Sequence, residues 1–370
     1  SIARALQGSG PTAVVCSGHP AAASQQIRRS DIRMADNGTT QDGRSDERMH
    51  AVGDDPAWSE SYYFNFIDPD TRIGMFTRMG FRAGNGWADA LHAVFLPGNR
   101  VAFTYGRREI ARDLTQYDDD LKAGDLTLTC LEPHQRWTIE YAGPAQDIPD
   151  ASILLERRKA RPDGWFTPAR LEMALSFDCL TEPHFAAAGA RGHFEQSGRV
   201  AGHISLGAET WQVAGFGVRD KSWGPRDWGT GSRQETPASQ AAPSGPSPFV
   251  NWFSMNFGEY AALGGSCFRH PDGVMRGTGW MQRDGESINL KEVTIESDYA
   301  TDSILHTAIT LNAQTDGGET ITIAGKVLNV CPTKIPMANG ATFVNEGLAE
   351  CTWEGRRGYG IAEQWHAVTL

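Results

Sequence analysis

Apolar and polar residues alternate in short runs along most of this chain, and a period of two residues predicts β-strands. About eighteen such runs follow Trp58, rich in β-branched and aromatic residues and separated by Gly, Pro, Asn or Asp. They are Tyr62–Ile67, Ile73–Phe81, Ala90–Leu96, Val101–Tyr105, Leu126–Leu131, Trp137–Tyr141, Leu171–Phe177, Gly192–Gln196, Arg199–Leu206, Thr210–Val218, Phe249–Phe257, Tyr260–Phe268, Val274–Gln282, Glu292–Ser297, Leu305–Leu311, Thr320–Val330, Ala341–Trp353 and Tyr359–Trp365. No long segment has the period of an amphipathic helix. The pattern predicts an all-β protein of sandwich or barrel type, with under about 12% helix.

The chain length and the spacing of these runs predict two domains. At about 150 residues per domain, 370 residues favour two. Residues 1–54 lack regular strand runs, and we expect them to be poorly ordered. We assign one β-domain to residues 55–228 and a second to residues 249–370. Between them, residues 229–248 are rich in Pro, Ser and Gly, which predicts a flexible linker or a lid.

Charge and cysteine usage limit the partners. A formal net charge of −11 argues against nucleic acid as a partner. No run of about 18 apolar residues is present, so we expect no integral membrane segment. The six cysteines are scattered without a C-x-x-C pair, and no secretory pattern is visible. We therefore expect reduced thiols and a cytoplasmic location. The oligomeric state is not indicated.

No motif predicts a cofactor or a metal. Gly273–Gly279 lacks the flanking strand and helix of a dinucleotide-binding loop. His193 and His203 are expected on adjacent strands of a hairpin, but no third metal ligand can be named. The G-x-S-x-G elbow of an esterase is also missing. We expect neither a cofactor nor a metal site.

Candidate chemistry concentrates in residues 215–229, which hold two Arg-Asp pairs, two Trp and several Gly. Strand alternation places Phe216, Val218 and Asp220 on one face that points into an interior, with Arg219 on the other face. A carboxylate in such an apolar row must pair with a cation or carry a raised pKa. The alternative interpretation is structural, with the Arg-Asp pairs as buried salt bridges that anchor a strand end.

Two other runs carry residues of interest. Alternation puts Trp252, Ser254 and Asn256 on one strand face, which suits either a ligand site or a partly exposed sheet face. Tyr62 and Tyr63 are neighbours, so one ring points inward and the other outward. We expect these two rings to serve as core and rim, with Glu60 as a pocket acid the lesser alternative.

The segment Val218–Gly229 resembles the signature of the carotenoid hydratase (hydroxyneurosporene synthase) and AttH-like superfamily, in particular a branch of uncharacterised paired domains. Trp58–Phe64 resembles the opening strand of that family. Residues 345–350 and 358–363 resemble its closing strands. The resemblance covers roughly residues 55–370, and the central motif is the most specific part of it.

This resemblance implies two lipocalin-like β-barrels or sandwiches packed together, a fold that can enclose an apolar ligand. Asp220 occupies the position of the proton donor of the hydratase members, and Asp227 is the second candidate acid. Arg219 and Arg226 make this motif more cationic than that of the carotenoid enzymes, so a long polyene substrate is not implied.

The implied activity is cofactor-independent, acid-catalysed hydration, dehydration or isomerisation of an isoprenoid, steroid or aromatic molecule. Burial would keep a carboxyl protonated near neutral pH, and indole faces would stabilise the cation. The candidate substrate-binding residues are Trp223, Arg226, Trp228, Trp252, Arg219 and Tyr63. We expect Asp220 to line the largest apolar cavity, near Trp223, Trp228 or Trp252, and Asp227 to be a paired structural carboxylate. The alternatives are a non-catalytic lipid- or isoprenoid-binding protein and a scaffold for a pericyclic reaction.

Overall fold

The computed structural model of the protein describes residues 46–187, 189, 191–226, 246–337 and 340–369. Within these ranges the chain forms nineteen strands and three short 3₁₀ turns and has no α-helix, which confirms the all-β prediction. The strands are β1 (Trp58–Ile67), β2 (Gly74–Arg82), β3 (Trp87–Phe95), β4 (Val101–Glu109), β5 (Leu121–Ala123), β6 (Leu126–Glu132), β7 (Arg136–Ile148), β8 (Thr167–Cys179), β9 (His184–Ala187), β10 (Gly192–Leu206), β11 (Glu209–Pro225), β12 (Val250–Asn256), β13 (Ala261–Arg269), β14 (Met275–Arg283), β15 (Glu286–Tyr299), β16 (His306–Thr315), β17 (Thr320–Met337), β18 (Gly340–Trp353) and β19 (Arg356–Thr369). The 3₁₀ turns are Leu114–Tyr117, Ala151–Leu155 and Arg158–Ala160.

The first eleven strands form one antiparallel sheet that curls into a barrel. Its order is β4-β3-β2-β1-β11-β10-β8-β7-β6-β5, with β9 added beside β10. The end of β7 also pairs with β4, with Val101 opposite Ile148. This pairing closes a ring of eight strands and leaves the β5–β6 hairpin outside it. Large apolar side chains, among them Phe64, Trp137 and Phe177, fill the ring.

The last eight strands form a second, closed barrel. Each strand pairs with the next along the chain, and β19 returns to pair with β12. Phe253, Met255 and Phe257 point into this barrel, where they pack with Leu311 and Trp353. The alternation predicted for this run is therefore observed, and Trp252, Ser254 and Asn256 lie on the opposite face.

The two barrels bury a third apolar cluster between them, which we call the seam. Tyr63 and Val218 belong to it from the first barrel, and Trp252, Trp280 and Ile361 from the second. Every residue of β1 is buried, because one face of this strand lines the first barrel and the other packs against the second barrel. Ser254 and Asn256 also lie in the seam, since they bond Asn65 at 3.0 Å and Ser197 at 2.8 Å. The face of β12 that carries Trp252 is therefore an interface between barrels rather than an exposed sheet face.

The strand predictions differ from the structure in a few places. Gly192–Gln196 and Arg199–Leu206 are one continuous strand, β10, because Gly198 keeps its pairing with Cys179 and Gly217. His193 and His203 therefore lie on the same strand and not on adjacent strands, so the predicted hairpin contact between them is wrong. The short strands β5 and β9 were not predicted, because three or four residues are too few to show a period.

Residues 46–54, which the sequence analysis grouped with the poorly ordered segment, pack against the first barrel. Glu47 and Met49 are about 5% exposed. The first sheet ends at Pro225 and the second barrel begins at Val250. The intervening residues 227–245 lie outside the described part of the chain, so the linker-or-lid prediction stays a prediction. None of the described helical turns is long and apolar enough to cross a membrane.

Candidate functional site

A row of polar side chains crosses the outer face of the first barrel, where it meets the second. Strand register places Arg78 opposite Tyr63, Tyr63 opposite Asp220, and Asp220 opposite Glu195. Residues directly opposite in an antiparallel sheet point to the same face. Four strands therefore bring these four side chains side by side, although their positions span more than a hundred residues of sequence.

The second barrel presents a matching row. Glu346 lies opposite Glu363 on β18 and β19, and Glu363 lies opposite Trp252 on β12. Across the seam, the Tyr63 hydroxyl donates a hydrogen bond to Oε2 of Glu346 at 3.0 Å. The Tyr63 ring packs edge-on against Trp252, with ring centroids 5.3 Å apart. The seam therefore holds several carboxyl groups among aromatic rings.

Glu195 is the most completely bonded of these carboxylates. The indole N–H groups of Trp252 and Trp280 each donate to it at 2.6 Å, one to each oxygen. Nε2 of His193 lies 3.0 Å from Oε1. Burial by itself would raise the pKa of Glu195, but His193 and the two indoles outweigh burial and the pKa is lowered. Glu195 is therefore ionised and links the first barrel to two strands of the second.

A glycine makes room for this arrangement. A Cβ atom on Gly264 would lie 2.6 Å from Oε2 of Glu195 and 2.6 Å from Nε1 of Trp280. Such a separation is shorter than a carbon–oxygen or carbon–nitrogen contact allows, so residue 264 has to lack a side chain if the carboxylate and the indole are to meet.

His193 stands between two carboxylates. Nδ1 of His193 lies 3.9 Å from Oδ1 of Asp220, which is too far for a hydrogen bond. This nitrogen has no other hydrogen-bond partner among the described residues. Burial lowers the pKa of His193, but Asp220 and Glu195 outweigh it and the pKa is raised. A polar atom therefore faces Asp220 across a gap that a small group could bridge.

Asp220 has the property that an acid catalyst needs. Burial raises the pKa of its carboxyl, although the nearby charges of His193 and Arg226 act in the opposite direction. Its side chain keeps 17% of its surface exposed and that of His193 keeps 24%, so the site reaches solvent at one edge. Asp220 is thus a partly accessible carboxyl that holds its proton to higher pH than an ordinary aspartate.

Glu346 and Glu363 form a second acidic pair. Burial and the neighbouring charge of Glu363 raise the pKa of Glu346 well above its ordinary value, and burial also raises the pKa of Glu363. Two adjacent buried carboxyls cannot both ionise without strong repulsion, so ionisation of one favours the protonated form of the other. Sequence reasoning noted these residues only as parts of the closing strands. Their signal was a Glu in the middle of an otherwise apolar run.

The candidate site residues divide between two places. Tyr63, Asp220 and Trp252 lie in the seam. Arg226 lies close enough for its charge to act on Asp220. Arg219 does not join them. Asp227 and Trp228 lie outside the described residues, so their predicted roles stay predictions.

Arg219 and Trp223 point into the first barrel, away from Asp220. Arg219 is fully buried and binds Glu47, and Trp223 stacks on His50 with ring centroids 4.1 Å apart. Alternation correctly separated Arg219 from Asp220. The error lay in which face is interior, because Asp220 faces the second barrel rather than the inside of its own.

Two hollows are described on this protein, and Asp220 lines neither of them, so the predicted cavity at Asp220 stays a prediction. A hollow of about 430 Å³ lies beside Ile288 and Thr315 on the second barrel. Another of about 160 Å³ lies beside Leu328 and Asn329. Both hollows lie away from the packed rings of Tyr63 and Trp252, which line neither of them. Among the described residues, no group of three or more His, Cys, Asp or Glu side chains is placed to hold a metal ion.

Comparison with known proteins places this chain in a family. Residues 43–368 match the model of the domain of unknown function DUF7064, and the chain belongs to that family. Among curated proteins, a search finds no match.

Two solved structures share the fold. A candidate AttH protein from Nitrosomonas europaea superposes with a TM-score of 0.57 and 13% identity, over 89% of this chain and 98% of that one. Kievitone hydratase from Nectria haematococca superposes with a TM-score of 0.50 and 10% identity, over 89% of this chain and 93% of that one. At 13% and 10% identity, these likenesses show that the fold is shared.

Proposed function

We propose that this DUF7064 protein is an acid–base hydratase or dehydratase that acts on a hydrophobic small molecule at the edge of the seam. The observation that carries the proposal is the grouping of Asp220, His193 and Glu195. The pKa of the Asp220 carboxyl is raised, and so is the pKa of the neighbouring His193 imidazole. The ionised Glu195 bonds His193 and holds it in place. Perturbed titratable groups that meet in a partly open site are typical of acid–base catalysis.

The reaction needs only the groups present and water. The protonated Asp220 carboxyl transfers its proton to one carbon of an alkene, and the other carbon becomes cationic. Water adds to the cation through oxygen, and the surplus proton returns to Asp220, with His193 beside it as a relay. The net change is alkene plus water to alcohol, and dehydration is the reverse.

The surroundings suit an apolar substrate. Tyr63 lies opposite Asp220 in the sheet, and its ring packs against Trp252. Aromatic side chains therefore lie on the same side of β11 as Asp220, and an indole face is a strong stabiliser of a nearby cation. We therefore keep isoprenoids, steroids and aromatic alkenes as the substrate classes, and the step described requires no cofactor. The activity named for kievitone hydratase supports the reaction type only by analogy of fold.

The proposal includes a cytoplasmic location. The cysteines in the described residues, Cys130, Cys179, Cys267, Cys331 and Cys351, are all free thiols. Five unpaired cysteines among the described residues of a chain of this size fit a reducing compartment.

Solvent labelling tests the proposal. The protein is incubated in D2O with a panel of trisubstituted isoprenoid, steroid and aromatic alkenes and the matching tertiary alcohols, and products are read by mass spectrometry. Hydration through a protein acid adds one deuterium to carbon. We expect Asp220→Asn to lower the rate about 100-fold or more while substrate affinity changes by less than about tenfold.

The matched control is Asp147→Asn, which removes a partly exposed carboxylate that is paired with Arg100, away from Asp220, and should keep the wild-type rate. Turnover of a substrate by Asp220→Asn at the wild-type rate would overturn the assignment of the acid.

A further inference from the structure

The first barrel has a second charged site in its interior, at the end where β1 begins and β11 ends. Residues 46–50, which we call the strap, lie across this end without strand pairing. Glu47 and Met49 point inward and are buried, whereas Arg48 between them is exposed. Met49 joins the apolar cluster that fills the barrel.

The carboxylate of Glu47 occupies a complete anion site. Nη1 of Arg219 donates to Oε2 at 3.0 Å, and Nη2 of the same guanidinium donates to Oε1. The backbone N–H of His134 also donates to Oε1 at 2.7 Å. Gln196 accepts from Nε of Arg219 at 2.9 Å and so fixes the guanidinium plane. A paired donation from arginine is the geometry that selects a carboxylate.

The walls around this site are aromatic. The guanidinium of Arg219 lies 5.3 Å from the ring centre of Trp137 and 5.0 Å from that of Phe194. A site that combines a bidentate cation with apolar walls suits a carboxylate attached to an apolar body.

The buried charged groups of the first barrel lie partly on its strands and partly on the strap. The other buried cation, Lys221, pairs with Glu60, and both residues belong to barrel strands. From the strap, the backbone N–H and Nδ1 of His50 each lie 2.9 Å from an oxygen of Glu60, so Glu60 keeps Lys221 as its partner when the strap leaves. Arg219 is also on a barrel strand, but Glu47 is on the strap. Without the strap, the barrel interior keeps one unpaired positive charge, and one monoanion would balance it.

Hydrogen bonds from side chains outside the strap hold the main chain of the strap in place. The Tyr62 hydroxyl donates to the Glu47 carbonyl at 3.1 Å, and Nζ of Lys221 donates to the Arg48 carbonyl at 3.2 Å. The N–H of Met49 donates to Oδ1 of Asp118 at 2.6 Å. These bonds join side chains of the barrel to the main chain of the strap, much as a protein binds a peptide.

We propose that the first barrel binds a monocarboxylate with an apolar body, such as a fatty or aromatic acid. The ligand carboxylate takes the position of the Glu47 carboxylate on Arg219, its body takes the position of Met49, and the strap is displaced. This site lies on the opposite face of β11 from Asp220 and does not depend on the activity proposed for the seam.

Decanoate and decanol, which differ in the charged group, are suitable probes of the full chain. We expect decanoate to bind, with a change in tryptophan fluorescence and faster amide exchange in residues 46–50 by mass spectrometry, because the strap leaves. Decanol should bind at least about tenfold more weakly, since it cannot form the bidentate pair. Equal binding of the two probes, or binding without faster exchange in the strap, would overturn the proposal.

Variants of Arg219 assign the binding to this site. Arg219→Met should abolish the preference for decanoate, and Arg219→Lys, which keeps the charge and is less disruptive, should weaken decanoate about tenfold. The control Arg199→Met removes an exposed arginine from the adjacent strand β10 and should bind as the wild type does. Wild-type decanoate affinity in Arg219→Lys would contradict the proposal.

Chemical rescue provides a second readout that needs no fatty acid. Glu47→Ala should lower the melting temperature, because Arg219 loses its partner. Sodium acetate should restore it in a saturable way, whereas sodium chloride at equal ionic strength and neutral acetamide should not. Equal rescue by chloride or acetamide would show that the pocket does not select a carboxylate.

Discussion

Glu195 offers a sharp test of the seam, because its carboxylate is the point at which two barrels share charged hydrogen bonds. Glu195→Gln keeps the shape of the side chain and removes the charge. The amide has one oxygen, so it can accept from Trp252 and His193 on the side of Oε1 or from Trp280 on the side of Oε2. In either orientation, an amide N–H points at a donor.

The expected loss follows from these bonds. A buried N–H without an acceptor costs about 1–3 kcal/mol, and the bonds that remain lose the strength that the charge gave them. We therefore expect Glu195→Gln to lower the free energy of unfolding by about 2–4 kcal/mol. The matched control is Glu172→Gln, which removes a charge from a half-exposed side chain paired with Arg170 on the first barrel. We expect this control to change the free energy of unfolding by less than about 0.5 kcal/mol, because an exposed ion pair contributes little.

Urea titration at pH 7 measures the difference between Glu195→Gln, Glu172→Gln and the wild type, from the shift of the midpoint at an unchanged slope. A loss for Glu195→Gln that is no larger than that of Glu172→Gln would refute the reasoning, because the two indole bonds would then contribute nothing to the union of the barrels.

Three further changes have defined outcomes. Because the folded pKa of Glu346 is raised above its ordinary 4.5, the folded state keeps a proton that the unfolded state loses. Its contribution to stability is therefore lost as pH rises from 4.5 through the folded pKa, and Glu346→Gln should flatten that decline in melting temperatures measured from pH 4 to 9. Gly264→Ala should lower the melting temperature and expose tryptophan fluorescence to quenching by acrylamide, because the new Cβ lies 2.6 Å from Glu195; an unchanged protein would show that the contact relaxes freely. Tyr63→Phe removes one hydrogen bond to Glu346 and should cost about 1 kcal/mol in urea titration, and a gain in stability would contradict the bond.

Alternation along β11 shows which features of the site the sequence can predict and which it cannot. Period two correctly placed Phe216, Val218 and Asp220 together and Arg219 apart, because that relation depends only on the strand. Which face lines the barrel could not be predicted, since both faces of the second half of β11 are largely buried and both carry charges. The same limit applies to Trp252, whose face is mixed because it packs on another barrel.

The residues that the sequence analysis missed share one property. Glu195 accepts hydrogen bonds from Trp252 and Trp280, which lie on strands of the other barrel. Glu346 accepts a hydrogen bond from Tyr63, which also lies on the other barrel. These partners are distant in sequence, and their meeting depends on how two closed sheets pack. A single sequence carries no local signal for that packing, so charged residues in buried runs were visible but their partners were not.

The most direct test of the account is the titration of Asp220 itself. The full chain is labelled with [4-13C]aspartate, and the carboxyl signal that is lost in Asp220→Asn identifies the residue. Its chemical shift is then followed as the pH is changed within the range where the protein stays folded. The account predicts a midpoint clearly above the ordinary aspartate value of 3.8, because burial outweighs the charges of His193 and Arg226. A midpoint at or below 3.8 would contradict it, since Asp220 would then be an ionised partner of those cations and not an acid.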